Sequence, residues 1–196
     1  IRELYFPSNA SLTKEQKLEQ YTKLFSDGLF ILHTSFAAEI QRQFSPVYSY
    51  YYSRRGGPSM ANAMALLMKK ENFVVKTASV FGFLIKKMFN AKLTDWGVCH
   101  ADVLCMLFKL SGAFTPPNLG NDPADITFSK DLVKLWVDFA ASDETHLTFR
   151  DVHFQSQPLQ GPLVYLELNE SPRMIEEPFR DRTDALKSMN FLEQCK

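Results

Sequence analysis

Four histidines are the side chains of this 196-residue chain that can both take and return a proton near neutral pH. His33 falls within a helix-like pattern, and His146 and His153 lie in a polar stretch beside Thr and Asp, so each reads as a packed or solvated residue. No two of them share metal-ligand spacing with a third donor, and Cys99, Cys105 and Cys195 make neither an even framework nor a CxxC pair. Neither a metal site, a disulfide scaffold nor any cofactor is expected. His100 differs in context, because it closes the Gly-containing turn Asp95-Trp-Gly-Val-Cys-His100 just ahead of a helical pattern. On residue type alone, it too reads as a structural residue. Gly57-Pro-Ser59-Met-Ala61 imitates a Gly-x-Ser-x-Ala nucleophile elbow. A loop parts it from the strand before it, whereas an elbow needs a sharp strand-to-helix turn, so Ser59 is not expected to be a nucleophile.

The elements that must position these residues can be read from pattern. Thr13 and Gln16 have capping-box spacing ahead of Leu18, Tyr21, Leu24 and Phe25, predicting a short amphipathic helix. Ser26 or Asp27 then caps a second helix with Leu29, Leu32, Phe36 and Ile40 on one face. Pro46 opens the aromatic run Val47 to Tyr52, which is apolar on both alternating faces and predicts a strand covered on both sides, as in a layered α/β sheet. Ser53-Arg-Arg-Gly-Gly-Pro58 breaks it, Met60 to Lys70 is helix-prone, and Phe73 to Met88 reads as a further helix or lid-like element. A helix over Asp102 to Leu110 turns Val103, Leu104, Leu107 and Phe108 inward. After a Pro-rich loop, Ser129 caps a helix with Leu132, Leu135, Trp136 and Phe139 on one stripe. Residues 142 to 162 read as loop, Leu163 to Leu168 as a late strand, and Phe179 to Cys195 as a closing helix.

Composition narrows the classes of function. With 22 basic and 22 acidic side chains and 45% hydrophobic residues, the chain has the makeup of a packed globular protein. It offers no basic field for nucleic acid. Lys76, Lys86 and Lys87 interrupt the longest apolar stretch, so no segment of about 18 to 20 residues is expected to span a bilayer. The start, Ile-Arg-Glu-Leu-Tyr-Phe-Pro, lacks the charged and apolar regions of a signal peptide and reads as an interior start. Two sequons, Asn9-Ala-Ser11 and Asn169-Glu-Ser171, are candidate glycosylation sites and point toward a secreted location, with cytoplasmic or microsomal placement as the other options.

Gly97-Val98-Cys99-His100-Ala101-Asp102, followed by Leu104 and Phe108, resembles the Gly-Val-x-His-(Ala/Gly)-Asp segment that bears the catalytic histidine of type-B carboxylesterases and cholinesterases, with the Cys and Ala variants similar to the insect and arthropod branch. Other blocks agree in order and spacing: Ile1-Arg to Phe6, Phe25-Ser-Asp27 to Gln43, the Pro46 to Ser53 strand, and the Ser129 to Ala140 helix. The resemblance implies an α/β-hydrolase fold, with residues 1–196 as the C-terminal portion of a single such domain: late strands of the central sheet plus packed helices, incomplete without an N-terminal part. It implies a serine hydrolase acting on a small-molecule carboxylic ester through an acyl-enzyme. His100 is then the catalytic histidine, and the serine and acid lie upstream of residue 1. It also implies a buried ion pair between Asp27 and an arginine of the last helix, Arg180 or Arg182, and a supporting role for Asp102. Relatives commonly carry an acid after Asp102 where this chain has Val103. The alternative reading is therefore a catalytically inactive, cholinesterase-like adhesion or binding protein. The aromatic segments Tyr48 to Tyr52 and Phe81 to Phe89 are read as core packing rather than as a pocket for the ester.

Overall fold

The computed structural model of the chain describes residues 1–67, 82, 97–109, 119–141 and 146–189. The elements expected over Phe73 to Met88, the end of the Met60 to Lys70 helix, Asp95 and Trp96, and the end of the closing helix lie outside the described residues. The described chain divides into two compact units, one of residues 1–49, 155–166 and 174–196, the other of 50–154 and 167–173.

In the first unit, α1 (Arg2–Tyr5) precedes α2 (Lys14–Ser26). Thr13 Oγ1 accepts the Gln16 amide at 3.2 Å and Gln16 Oε1 accepts the Thr13 amide at 2.9 Å, so the predicted capping box forms and satisfies two otherwise orphaned donors. The two helices expected on either side of Ser26 are one continuous run. A π-helical turn, Asp27–Ile31, joins α2 to α3 (Leu32–Gln41), with the Leu32 amide reaching back five residues to the Asp27 carbonyl. Ser26 and Asp27 therefore cap nothing. The core of this unit gathers Tyr5, Leu32, Ala38, Leu163, Tyr165, Leu166 and Leu186, the last from α7 (Arg180–Ser188). Leu18, Tyr21 and Phe25 of α2 stay exposed.

In the second unit, β1 (Tyr50–Tyr52) leads through a loop to α4 (Met60–Leu67). Then come α5 (Asp102–Leu107), α6 (Pro123–Ala141) and a two-residue hairpin of β2 (Thr148–Phe149) and β3 (Val152–His153), paired Thr148 to His153 and Phe149 to Val152. That hairpin falls where sequence predicted loop. α6 begins seven residues earlier than expected: Asp122 Oδ1 accepts the Ala124 amide at 2.8 Å, and Pro123 takes the first helical position, which needs no amide donor. Ser129 sits inside the helix and is not its cap. Leu132 and Leu135 are buried as predicted, while Phe139 is exposed. On α5 the expected face is wrong as well. Cys105 and Met106 are buried, whereas Leu104 and Phe108 point to solvent. Asp102 turns inward to its backbone partners, and a helix of under two turns follows that anchor rather than its leucines.

The strands β1, β4 (Val164–Leu168) and β5 (Arg173–Glu176) hydrogen-bond in the order β1-β4-β5. β4 is the buried member, with Tyr165, Leu166 and Leu168 inside. β1 was expected to be covered on both faces, but it ends this order among the described residues and leaves Tyr50 partly exposed. Its ring still meets Trp136 edge-on at 5.1 Å.

Candidate active-site turn

His100 lies in a four-residue turn closed at both ends. The Asp102 amide donates to the Cys99 carbonyl at 3.1 Å, and Asp102 Oδ2 in return accepts the Cys99 amide at 2.7 Å. Between them Ala101 adopts φ 71°, ψ 5°, the left-handed geometry that the third position of a type II turn requires. For a residue with a Cβ this conformation costs roughly 1–2 kcal/mol. Gly97, at φ 80°, makes the second left-handed bend, so the histidine loop is bracketed by two of them. The side chain of His100 is exposed on this turn, not sunk in hydrocarbon.

Asp102 does more than close the turn. It is 3% exposed, and its Oδ1 accepts the amide of Met60, the first residue of α4, at 2.6 Å. One carboxylate thus ties the histidine loop to the N-terminus of a second helix, where negative charge is favoured by the helix dipole. Burial pushes the Asp102 carboxyl above the ordinary range, and the Cys99 and Met60 amides with the Ser59 hydroxyl pull it back. Cys99, half-buried beside His100, has its thiol pushed up by burial and by the Asp102 charge, against the pull of the His100 amide. It is thus kept away from the thiolate form that reactive cysteines need.

Ser59 caps α4, its Oγ accepting the Ala61 amide at 3.2 Å. The strand before it ends at Tyr52, so there is no sharp strand-to-helix elbow. His33, His146 and His153 are each exposed, and among the described residues no group of three His, Cys, Asp or Glu side chains could hold a metal ion. No described helix is long and apolar enough to cross a membrane.

In the first unit, Asp27 is fully buried and carries three hydrogen bonds. Arg182 gives it Nε at 2.6 Å and Nη2 at 3.1 Å, and the Tyr5 hydroxyl gives a third at 2.8 Å. Of the two candidate arginines it is Arg182 that makes the pair; Arg180 lies outside and reaches Glu177 and Asp184 at 3.3 and 3.5 Å. Burial, then the Asp27 carboxylate, drive the Tyr5 hydroxyl well above its ordinary value and keep it a donor. Sequence reasoning missed Tyr5, which nothing but a fold contact marks. Of the sequon asparagines, Asn9 is exposed. Asn169 is half-buried, and its Nδ2, the atom a glycan would need, donates to Ser53 Oγ at 3.0 Å.

The chain is 26% identical over 127 residues, 64% of its length, to the juvenile hormone esterase of Tribolium castaneum, and the matched stretch spans 18% of that relative. The carboxylesterase family model matches residues 1–186, which carry the clamped turn at His100 and the Asp27–Arg182 pair alike, and the chain belongs to that family.

Proposed function

We propose that this chain supplies the acid-base histidine, His100, of a serine carboxylesterase, with residues 1–196 forming the C-terminal portion of a single α/β-hydrolase domain. The observation that carries the reading is the doubly closed Cys99–Asp102 turn, which fixes the backbone on either side of an exposed imidazole. A histidine so held can take the proton of a serine hydroxyl as it attacks the ester carbonyl and return it to the leaving alcohol as the acyl-enzyme forms. The family resemblance puts the serine and the acid in parts of the whole protein outside these residues, and Ser59, which caps α4, does not sit at a strand-to-helix elbow. The substrate is a small-molecule carboxylic ester, and the name of the Tribolium relative makes juvenile hormone the first to try. Exposed Asn9 supports a secreted location.

Val103 favours a second reading, an inactive binding protein of the same fold, since the acid common at that position is missing. Fluorophosphonate labelling of the whole protein separates the two, because labelling requires an activated serine. In the whole protein, His100→Ala is expected to lower turnover of p-nitrophenyl acetate by roughly 10³-fold or more, since triad members act as a unit. Activity near that of the wild type would reject the role given to His100. Residues 1–196 alone are expected to show no esterase activity, with or without Ser59→Ala.

A further inference from the structure

We propose that Arg54 is a positioning residue for the esterase site, holding the helix that follows His100 through an ionic cluster, centred on its own buried guanidinium, that the triad does not use. The inference rests on the reading of His100 given above.

Arg54 leaves the end of β1 and is only 7% exposed. Its Nε donates to Glu170 Oε1 at 2.7 Å and its Nη2 to Asp125 Oδ1 at 2.6 Å, while its guanidinium lies 4.8 Å from the centre of the Phe128 ring. Glu170 extends the cluster. Its Oε2 accepts Nη1 and Nη2 of Arg150 at 3.3 Å each, and Arg150 Nε reaches Asp131 Oδ2 at 2.9 Å, with the Arg150 guanidinium 5.4 Å from the same Phe128 ring. Asp125, Phe128 and Asp131 recur at helical spacing along one face of α6, so two arginines hold that face at three points. A buried arginine forking between two carboxylates has fixed geometry that a lysine point charge does not reproduce.

Two links run from this cluster to the histidine turn. Ser129, on α6 next to Phe128, donates from Oγ to the Met106 carbonyl at 2.6 Å, which seats the C-terminal end of α5. The second link is side-chain packing at Gly57. A Cβ built there would lie 2.3 Å from Met106 Cε and 2.7 Å from Arg54 Nη1, so Arg54, Gly57 and Met106 meet at one point. α5 begins at Asp102, the clamp of the His100 turn. Displacing Arg54 therefore moves Met106 and α6 together, and α5 carries that movement to the turn. Misplacing a reacting group by about 1 Å can lower a rate about 10²-fold.

The test uses the whole esterase, with active sites counted by fluorophosphonate titration. Arg54→Met is expected to lower kcat per titrated site by roughly 10- to 100-fold with KM within about twofold, and to shift the acid limb of the kcat/KM pH profile. Arg54→Lys is expected to recover part of the loss. A residue that merely stabilises the fold would lower the melting temperature and leave kcat per site and the pH profile unchanged, and that result overturns the proposal. Gly57→Ala covers the case in which Arg54→Met does not fold. The new methyl displaces the flexible ends of Met106 and Arg54, and unchanged kcat there also overturns the proposal. His100→Ala is run in parallel. If it retains activity, the reading of the site fails; if it abolishes activity while both Arg54 and Gly57 variants keep full kcat, only the inference fails.

Discussion

Replacing Arg182 by Met separates a buried charge from its partner, and the structure predicts how asymmetric the outcome should be. Asp27 is fully buried while the Arg182 side chain keeps 29% of its surface in water. Arg182→Met leaves a carboxylate inside the protein with one neutral hydrogen bond, from Tyr5. Orphaning one member of a buried pair costs about 3–5 kcal/mol, and the partial exposure of the arginine places the expected loss near the lower end, about 3 kcal/mol. Asp27→Asn orphans the other member, but the guanidinium can turn its donors to water and the amide oxygen can still accept from Tyr5. Its expected cost is about 1–2 kcal/mol. The double variant, with no unpaired charge left inside, is expected to be more stable than Arg182→Met alone. Urea unfolding followed by far-UV circular dichroism measures all three. The reasoning is refuted if Asp27→Asn costs more than Arg182→Met, or if the double variant loses the sum of the two.

Further expectations follow from single positions. Ala101→Gly removes the Cβ from the left-handed turn position and should raise stability by about 0.5–1 kcal/mol after the extra entropy of glycine is subtracted, read as a higher urea midpoint. A lower midpoint would show that the methyl packs usefully. Burial pushes the Cys105 thiol up to about 11 from the ordinary value near 9, so its contribution to stability is fully present below pH 9 and lost as pH rises through about 11. Cys105→Val should flatten that alkaline loss by roughly 2–3 kcal/mol, while an unchanged pH slope between pH 9 and 11 would refute it. Expressed through a secretory pathway, the chain should gain one glycan that Asn9→Gln removes and Asn169→Gln leaves, as read by intact mass. A glycan on Asn169 would mean that its bond to Ser53 forms too late to protect it.

What the sequence disclosed, and what it hid, divides along physical lines. The Thr13 capping box was legible because both its halves are local, three residues apart. Asp27 and Asp102 were singled out through motif likeness, yet the partners that fix them, the Tyr5 hydroxyl and the Met60 amide, come from 22 and 42 residues away and leave no local mark. Ser129 misled because a serine before an apolar stripe looks like a cap, whereas its hydroxyl is spent on the Met106 carbonyl of another helix. The face of α5 was misjudged because Asp102, a carboxylate, is the residue turned inward, the reverse of what hydrophobic pattern assumes. The Arg54 cluster escaped because an Arg-Arg-Gly-Gly loop reads as solvated, and only its spatial neighbours Asp125 and Glu170 make burial affordable.

The π-helical turn at Asp27–Ile31 lets a helix change sides without changing course. An α-helix advances about 100° per residue, so one extra residue in a single turn rotates everything after it by about that angle relative to everything before. The stripe that points Leu18, Tyr21 and Phe25 outward is thereby dephased from the one that points Leu32, Ser35 and Ala38 inward. Deleting a single residue between Gly28 and Ile31 would rejoin the two phases, and the rod could no longer present Asp27 to Arg182 and Leu32 to the interior at once.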